Sequence, residues 1–196
     1  MPPRTPRQRV RKSPEQRRGE ILAAAQEVFG RRGYRQGSLK DIADVVGLSV
    51  QGVLHHFSTK EELLLELLEE RNVRRAEVME RIRTEQGAVA QFRFILLENL
   101  ENPDYMRLFV TLAAEATEPG HPAESYFHER YVRTLEGVRE TLEADVAAGR
   151  APTDLEVGAA AQSLIALCDG LQLQKLHRPD LDLLAVYDAA TSDMRA

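Results

Sequence analysis

Side chains able to make or break bonds are few in this chain and poorly grouped. The single cysteine, Cys168, sits in the apolar run ALCDG, where a thiol is more often a small core residue than a nucleophile. A lone thiol also excludes an internal disulfide framework and a multi-thiolate zinc site. His121, Glu124 and His128 have metal-ligand chemistry at short spacing, but loop and helix-surface roles explain them more simply. No phosphate-cradling glycine loop, His-Glu-x-x-His helix or clustered carboxylate pair occurs. The reading is of a non-enzyme with no cofactor and no metal. What remains is recognition, in the segment SLKDIADVVGLSVQGVLHHF at 38–57. Gln51 can both donate and accept, as an adenine edge requires, and Val50 can touch a thymine methyl. Ser49 and Gly52 stand beside them, and Gly52 allows close backbone approach.

Such side chains must be carried on the first turn of a short, firmly held helix, and the cap signals predict one. Ser13-Pro14-Glu15-Gln16 combines an N-cap serine, proline at the first helical position and glutamine at the third. Ile21, Leu22, Ala25, Val28 and Phe29 then recur at helical spacing until Gly30 and Gly33. Ser38 caps a short second helix with Ile42, Ala43 and Val46 on one face, ended by Gly47, and Ser49 caps a third reaching about His56. Two helices too short to stand alone, joined across Gly47-Leu48-Ser49, match a helix-turn-helix. Ile42, Ala43, Val46, Leu48 and Val53 would pack the pair onto the first helix and free the start of the third for a major groove. A purely structural helical hairpin is the alternative. Thr59 and Glu62 predict a capping box opening a long helix through Leu63, Leu64, Leu67, Leu68, Val78 and Ile82.

Past Gly87 the elements become longer and more apolar. Val89, Phe92, Leu96 and Leu100 mark one helix, and Asn102-Pro103 starts another carrying Tyr105, Leu108, Phe109, Leu112 and Ala116. After the break PGHP, Phe127, Tyr131, Leu135, Val138, Leu142 and Val146 step by helical spacing to Gly149; Thr153 and Glu156 cap a further helix, and Pro179-Asp180 precede a short last one. With no period-2 strand, the expected fold class is all-α with about nine helices. It divides into a basic arm at 1–13, a three-helix unit with helix-turn-helix at 14–60, expected to bind DNA, and a larger helical body at 61–196.

Charge supports that division. Residues 1–60 carry 12 Lys and Arg against 5 Asp and Glu, whereas 61–196 carry 14 against 26. A basic head on an acidic body suits a polyanion-binding module joined to something that does not touch the polyanion. Arg4, Arg7, Arg9, Arg11 and Lys12 of the arm either lie in a neighbouring minor groove or form a solubilising extension. No apolar stretch approaches a membrane span, and the basic N-terminus lacks the apolar segment of a secretory signal, so a cytoplasmic setting is expected.

From Arg18 to about Leu68 the chain closely resembles the TetR family of bacterial transcriptional repressors. The likeness is carried by ILAAAQEVFGRRGY, SLKDIADVVGLS and HHFSTKEEL, where apolar, glycine and capping positions match together. It implies a homodimer on a palindromic double-stranded DNA operator, with Lys40 and Lys60 at phosphates beside Ser38, Ser49, Val50, Gln51 and Gly52. The family usually has tyrosine where this chain has Leu54, which removes a phenolic phosphate contact. His55 or His56 would partly replace it, with His55 nearer the DNA and His56 engaged in packing.

For the body, the resemblance implies that two long helices, here 123–148 and 154–175, pair with those of a second copy. Ala160, Leu164, Leu167 and Leu171 form a near-heptad stripe that would meet the partner together with Leu142, and Gly158, Ala159, Ala161, Ala166 and Gly170 permit close approach. Intramolecular packing of that stripe is the alternative. Phe92, Phe109 and Tyr131 are candidate walls of an effector pocket, with Tyr105, Tyr126 and His128 as polar handles; ordinary core packing explains the aromatics as well. The expected function is a repressor released from DNA by a small, mainly hydrophobic effector. Control by a protein partner, or a helical metal-binding or enzymatic protein, are the rivals.

Overall fold

The computed structural model describes residues 12–196. Arg4, Arg7, Arg9 and Arg11 of the basic arm lie outside the described residues; Lys12 pairs with Glu20 on the first helix. The order of elements is α1 (Pro14–Gln36), α2 (Leu39–Val46), α3 (Val50–Leu54), α4 (Lys60–Gln86), α5 (Ala88–Glu101), α6 (Pro103–Glu115), α7 (Glu124–Ala147), α8 (Val157–His177) and α9 (Leu183–Ala190), closed by a 3-10 turn at Ser192–Met194. The described chain is all-α, as the periodicity predicts.

The caps set the short elements. At α1, Ser13 Oγ accepts from Gln16 N while Gln16 Oε1 accepts from Ser13 N, both within 3.1 Å. Ser38 opens α2 in the same reciprocal way, with Asp41 as its partner, and its hydroxyl and backbone N–H hold the Asp41 carboxyl below its ordinary range. Gly47 ends α2 at φ +67°, a left-handed conformation that lets the chain turn straight into α3. Four helix ends or caps differ from the sequence expectation. Helix α1 runs past Gly30, with one non-helical residue at Gly33 before it ends at Gln36. Helix α3 stops at Leu54. Thr59 caps α4 but Glu62 reaches back to Ser58 N, one residue off the expected box. Helix α8 starts at Val157 without a side-chain cap, so Thr153 plays no such part.

Two buried clusters hold the helices together. The first joins Ile21, Ala25 and Phe29 of α1 to Ile42, Val53 and Phe57, to Leu63, Leu64 and Leu68 of α4, and to Tyr105, Leu108 and Leu112 of α6. The second gathers Phe92 and Leu96 of α5, Val138 and Leu142 of α7, Leu164 and Cys168 of α8, and Tyr187 of α9. The helix-turn-helix therefore shares its core with α6 of the body. Along that seam Gln26 Nε2 donates to Asn102 Oδ1 at 3.1 Å, Tyr34 N to Glu115 Oε2 at 3.4 Å, and Arg35 pairs with Glu118. The two backbones come close at Gly30, where a Cβ would lie 2.8 Å from the Asp104 carbonyl oxygen in the first turn of α6.

That contact gives two glycines of one helix opposite responses to the same substitution. Gly19 has nothing within 4 Å of a Cβ, so Gly19→Ala should stabilise the protein by up to about 1 kcal/mol through helix propensity. Gly30→Ala should destabilise it by about 1–3 kcal/mol, because the obstacle is backbone and α6 must back away. Urea unfolding of the two variants reads the signs; a shared sign would mean that α1 and α6 are not held as close as described.

Candidate functional site

Helix α3 is pinned from within and open outward. Val53 is fully buried, and Ser49 Oγ accepts from Gly52 N at 3.1 Å, which fixes the first turn. Val50 and Gln51 face solvent, as does Lys40 on α2. A Cβ at residue 52 would meet nothing nearer than Ser49 Oγ at 3.4 Å. The chain's own packing therefore tolerates a side chain at Gly52, and the smallness of that surface is available to something outside. Ser38 and Leu54 are half-buried, Ser38 serving as the α2 cap.

The flanking residues divide by what holds them. His55 is exposed. His56 is half-buried, its carbonyl accepts from Arg18 Nη1 at 2.8 Å, and Arg18 lies 4.2 Å over the Phe57 ring. Desolvation, with the charges of His55 and Arg18, pushes the His56 imidazole below its ordinary pKa. Lys60, expected at a phosphate, turns inward instead. Its ammonium donates to the Tyr34 carbonyl and sits 4.2 Å over the Tyr34 ring, and burial lowers its pKa against the opposing pull of Glu115.

In the body, α4 to α8 enclose a cavity of about 50 Å³ whose lining includes Phe92, Tyr105, Phe109 and Tyr131. Four of the six expected pocket residues are thus brought together. The other two are not: Tyr126 Oη accepts from Asn72 Nδ2 at 3.1 Å, and His128 is exposed in a separate groove beside His121. The sequence reading missed the polar half of the lining, Arg75, Asn99, Arg130, Asp169 and Gln172. Asn99 and Gln172 interrupt apolar helix faces, which was the available signal. Asn99 Nδ2 donates to Gln172 Oε1, Gln172 Nε2 to the Cys168 carbonyl at 3.0 Å, and Tyr131 Oη to Asp169 Oδ2 at 2.8 Å. Burial pushes the Asp169 carboxyl up, and burial with the Asp169 charge pushes the Cys168 thiol far up, so it is held as a thiol.

The expected dimer stripe requires correction. Leu142, Ala160, Leu164 and Leu171 are buried within the protomer's own second core, and Leu167 packs against it. The outward faces of the same helices carry Val132, 54% exposed, and Leu173, 48% exposed, with Ala159 and Ala166 also facing out. The histidine–carboxylate grouping also comes apart. His121 is buried with Nδ1 accepting from Ala123 N, Glu124 caps Gly120 N, and His128 is at the surface. Among the described residues no three His, Cys, Asp or Glu side chains are placed to hold a metal, and no helix is long and apolar enough to cross a membrane.

Comparison with known proteins agrees with this arrangement. Residues 21–67 match the family described as bacterial regulatory proteins, tetR family. The HTH-type transcriptional repressor AcnR of Corynebacterium glutamicum is 30% identical over 158 residues, 80% of each chain. Among solved structures, a TetR-family transcriptional regulator from Agrobacterium tumefaciens superposes with a TM-score of 0.79 at 19% identity, covering 94% of this chain and 100% of that one. The transcriptional regulator FadR of Bacillus subtilis, in complex with stearoyl-CoA, gives 0.71 at 21% identity, covering 89% and 95%. A capped helix-turn-helix docked on a helical body, and likeness along four-fifths of a curated relative, make this chain a member of the TetR family of DNA-binding transcriptional regulators.

Proposed function

We propose that this protein is a cytoplasmic repressor that binds a palindromic operator as a homodimer and leaves it when a small molecule enters the body. The carrying observation is the first turn of α3, where the side chains of Val50 and Gln51 and the bare surface of Gly52 have no intramolecular task while Ser49 and Val53 hold the helix rigid. Residues 14–60 read DNA, with Gln51 at a base edge, Lys40 and His55 at the backbone and α2 supporting them; residues 61–196 sense and pair. The named activity of AcnR supports repression, and the ligand in the FadR structure supports a body that accepts small molecules. Entry of an effector acts through the α1–α6 seam, because the recognition unit shares its core with α6. A hundredfold loss of operator affinity needs about 2.7 kcal/mol of differential binding. Pairing uses the outward faces of α7 and α8. The Tyr131–Asp169 bond ties the two helices together, and Val132 and Leu173 are large apolar side chains that they leave exposed, with Ala159 and Ala166 on α8 permitting close approach.

Four outcomes test this reading. Gln51→Ala should relax preference at one base pair per half-site by about 1–3 kcal/mol, measured by gel shift on operators substituted one base at a time; an unchanged preference would remove Gln51 from the base edge. Lys40→Ala should weaken binding to every sequence and reduce the salt slope by about one. Lys60→Ala, by contrast, should lower the thermal midpoint and leave the slope intact; equal slope changes for both lysines would restore Lys60 to a phosphate. Leu173→Glu should sediment as a folded monomer with weakened operator binding, because an unpaired charge in an apolar interface costs several kcal/mol. A persistent dimer would place the interface on another face.

A further inference from the structure

Four buried side-chain polar atoms among the described residues lack a hydrogen-bond partner, and three of them, Arg71 Nη1, Glu98 Oε2 and Asn99 Oδ1, belong to the facing helices α4 and α5. Natural interiors rarely leave such groups unmade, since each costs about 1–3 kcal/mol. The two guanidiniums of Arg71 and Arg75 both approach Glu98 Oε2, from 3.8 and 3.6 Å, and neither is close enough to bond to it. Each arginine side chain is only 12% exposed. Arg71 lies 3.9 Å over the Tyr105 ring, and burial lowers its pKa. Arg71, Arg75, Glu98 and Tyr105 line a cleft of about 370 Å³ that also reaches Arg74, Glu101, Gln26 of α1 and Asn102, the cap of α6, while Asn99 lines the smaller cavity. Arg75 and Tyr105 are shared with the smaller cavity behind it, where Phe92, Ile95, Phe109 and Ile165 supply apolar walls. Three arginines against two glutamates leave the cleft cationic.

We propose that this cleft is the head-group site of the effector, and that the effector is an amphipathic organic anion. Its carboxylate or phosphate bonds to Arg71 and Arg75, and its apolar part enters the small cavity past Tyr105. The proposal rests on the effector reading given above and narrows it from a mainly hydrophobic ligand to an anionic one. A planar guanidinium pair matches either head group with parallel N–H donors. The anion accepts from Arg71 Nη1, the donor that Glu98 leaves unbonded, and hydroxyls on the ligand would donate to the two orphaned acceptors, Glu98 Oε2 and Asn99 Oδ1. The cavity of about 50 Å³ is too small for an alkyl chain as it stands, so entry must part the helices that enclose it. The head group is then held beside the Gln26–Asn102 bond that ties α1 to α6, which couples occupancy to the recognition unit.

The experiment is calorimetric titration of the full chain with octanoate, octyl phosphate, 1-octanol and octyltrimethylammonium, with release of operator DNA read by fluorescence anisotropy. Either anion should bind at least about tenfold tighter than octanol, and octyltrimethylammonium weaker still; the better of the two anions identifies the head group. In Arg75→Gln and Arg71→Gln, checked for fold by circular dichroism, that preference should fall to about onefold. Arg75→Lys, which keeps the charge without the fork and guards against a misfolded glutamine variant, should retain part of it. Octanol binding as tightly as the anions, with release of DNA, would overturn the anionic head group and leave the effector reading standing. An anion preference unchanged in both glutamine variants would place the head group elsewhere. No binding by any probe would overturn both readings.

Discussion

Helix α1 serves one core from two sides, and most of the structure depends on how closely it lies against α6. On one side Ile21, Ala25 and Phe29 carry α2, α3 and the start of α4; on the other Gly30 brings the α1 backbone against the Asp104 carbonyl. A helix-turn-helix of such short elements has too little apolar surface to fold alone. It borrows the rest from the body, through Tyr105, Leu108 and Leu112. The loan removes independence: the recognition helix cannot be repositioned without disturbing α6, and α6 cannot shift without carrying α1. Close-packed interiors deform by switching between discrete arrangements. A seam of this kind is therefore suited to pass on a small displacement undiminished.

The body is built differently from the head. Its second core is apolar along α5, α8 and α9, but the space among α4 to α8 sets arginines, amides and three carboxyls beside its aromatic walls. Some of these groups are satisfied, as in the Asn99–Gln172 pair and the Tyr131–Asp169 bond. Others are left waiting. Polar groups of this kind weaken a core relative to hydrocarbon packing, most of all where they stay unpaired. Their position beside the seam places the least satisfied part of the interior next to the part that the DNA-reading unit leans on. An occupant acts only by the difference in its affinity for the two arrangements of that seam.

Lys60 and His56 show how tertiary context reassigns residues whose chemistry looks suited to DNA. Both stand at the end of the recognition unit, and both are drawn inward: Lys60 to the Tyr34 carbonyl and ring, His56 to Arg18 through its backbone. An ammonium over an aromatic face, with a carbonyl to bond, is retained by partial burial. Lys40 has no such neighbours and remains exposed. The charge available to a phosphate is thus decided by what lies beneath each side chain, which residue type alone does not record.

Local signals determined the helices, the turn between α2 and α3 and the exposed start of α3, because caps, left-handed glycines and apolar spacing act within a few residues of chain. Ser13, Ser38 and Ser49 cap as their positions demand, and Gly47 turns as only a left-handed residue can. Phe92, Tyr105, Phe109 and Tyr131 were also legible as one cluster. The tertiary structure alone decided which side of an amphipathic helix faces inward when both sides carry apolar residues. Ala160, Leu164 and Leu171 read as an interface by their spacing but are needed within the protomer, because α5 and α9 close over that face and leave Leu173 outside. It alone also brought Arg71, Arg75, Glu98 and Asn99 together. Residues more than twenty positions apart on two antiparallel helices meet only when those helices are packed, and an unmade hydrogen bond exists only once water has been excluded around it.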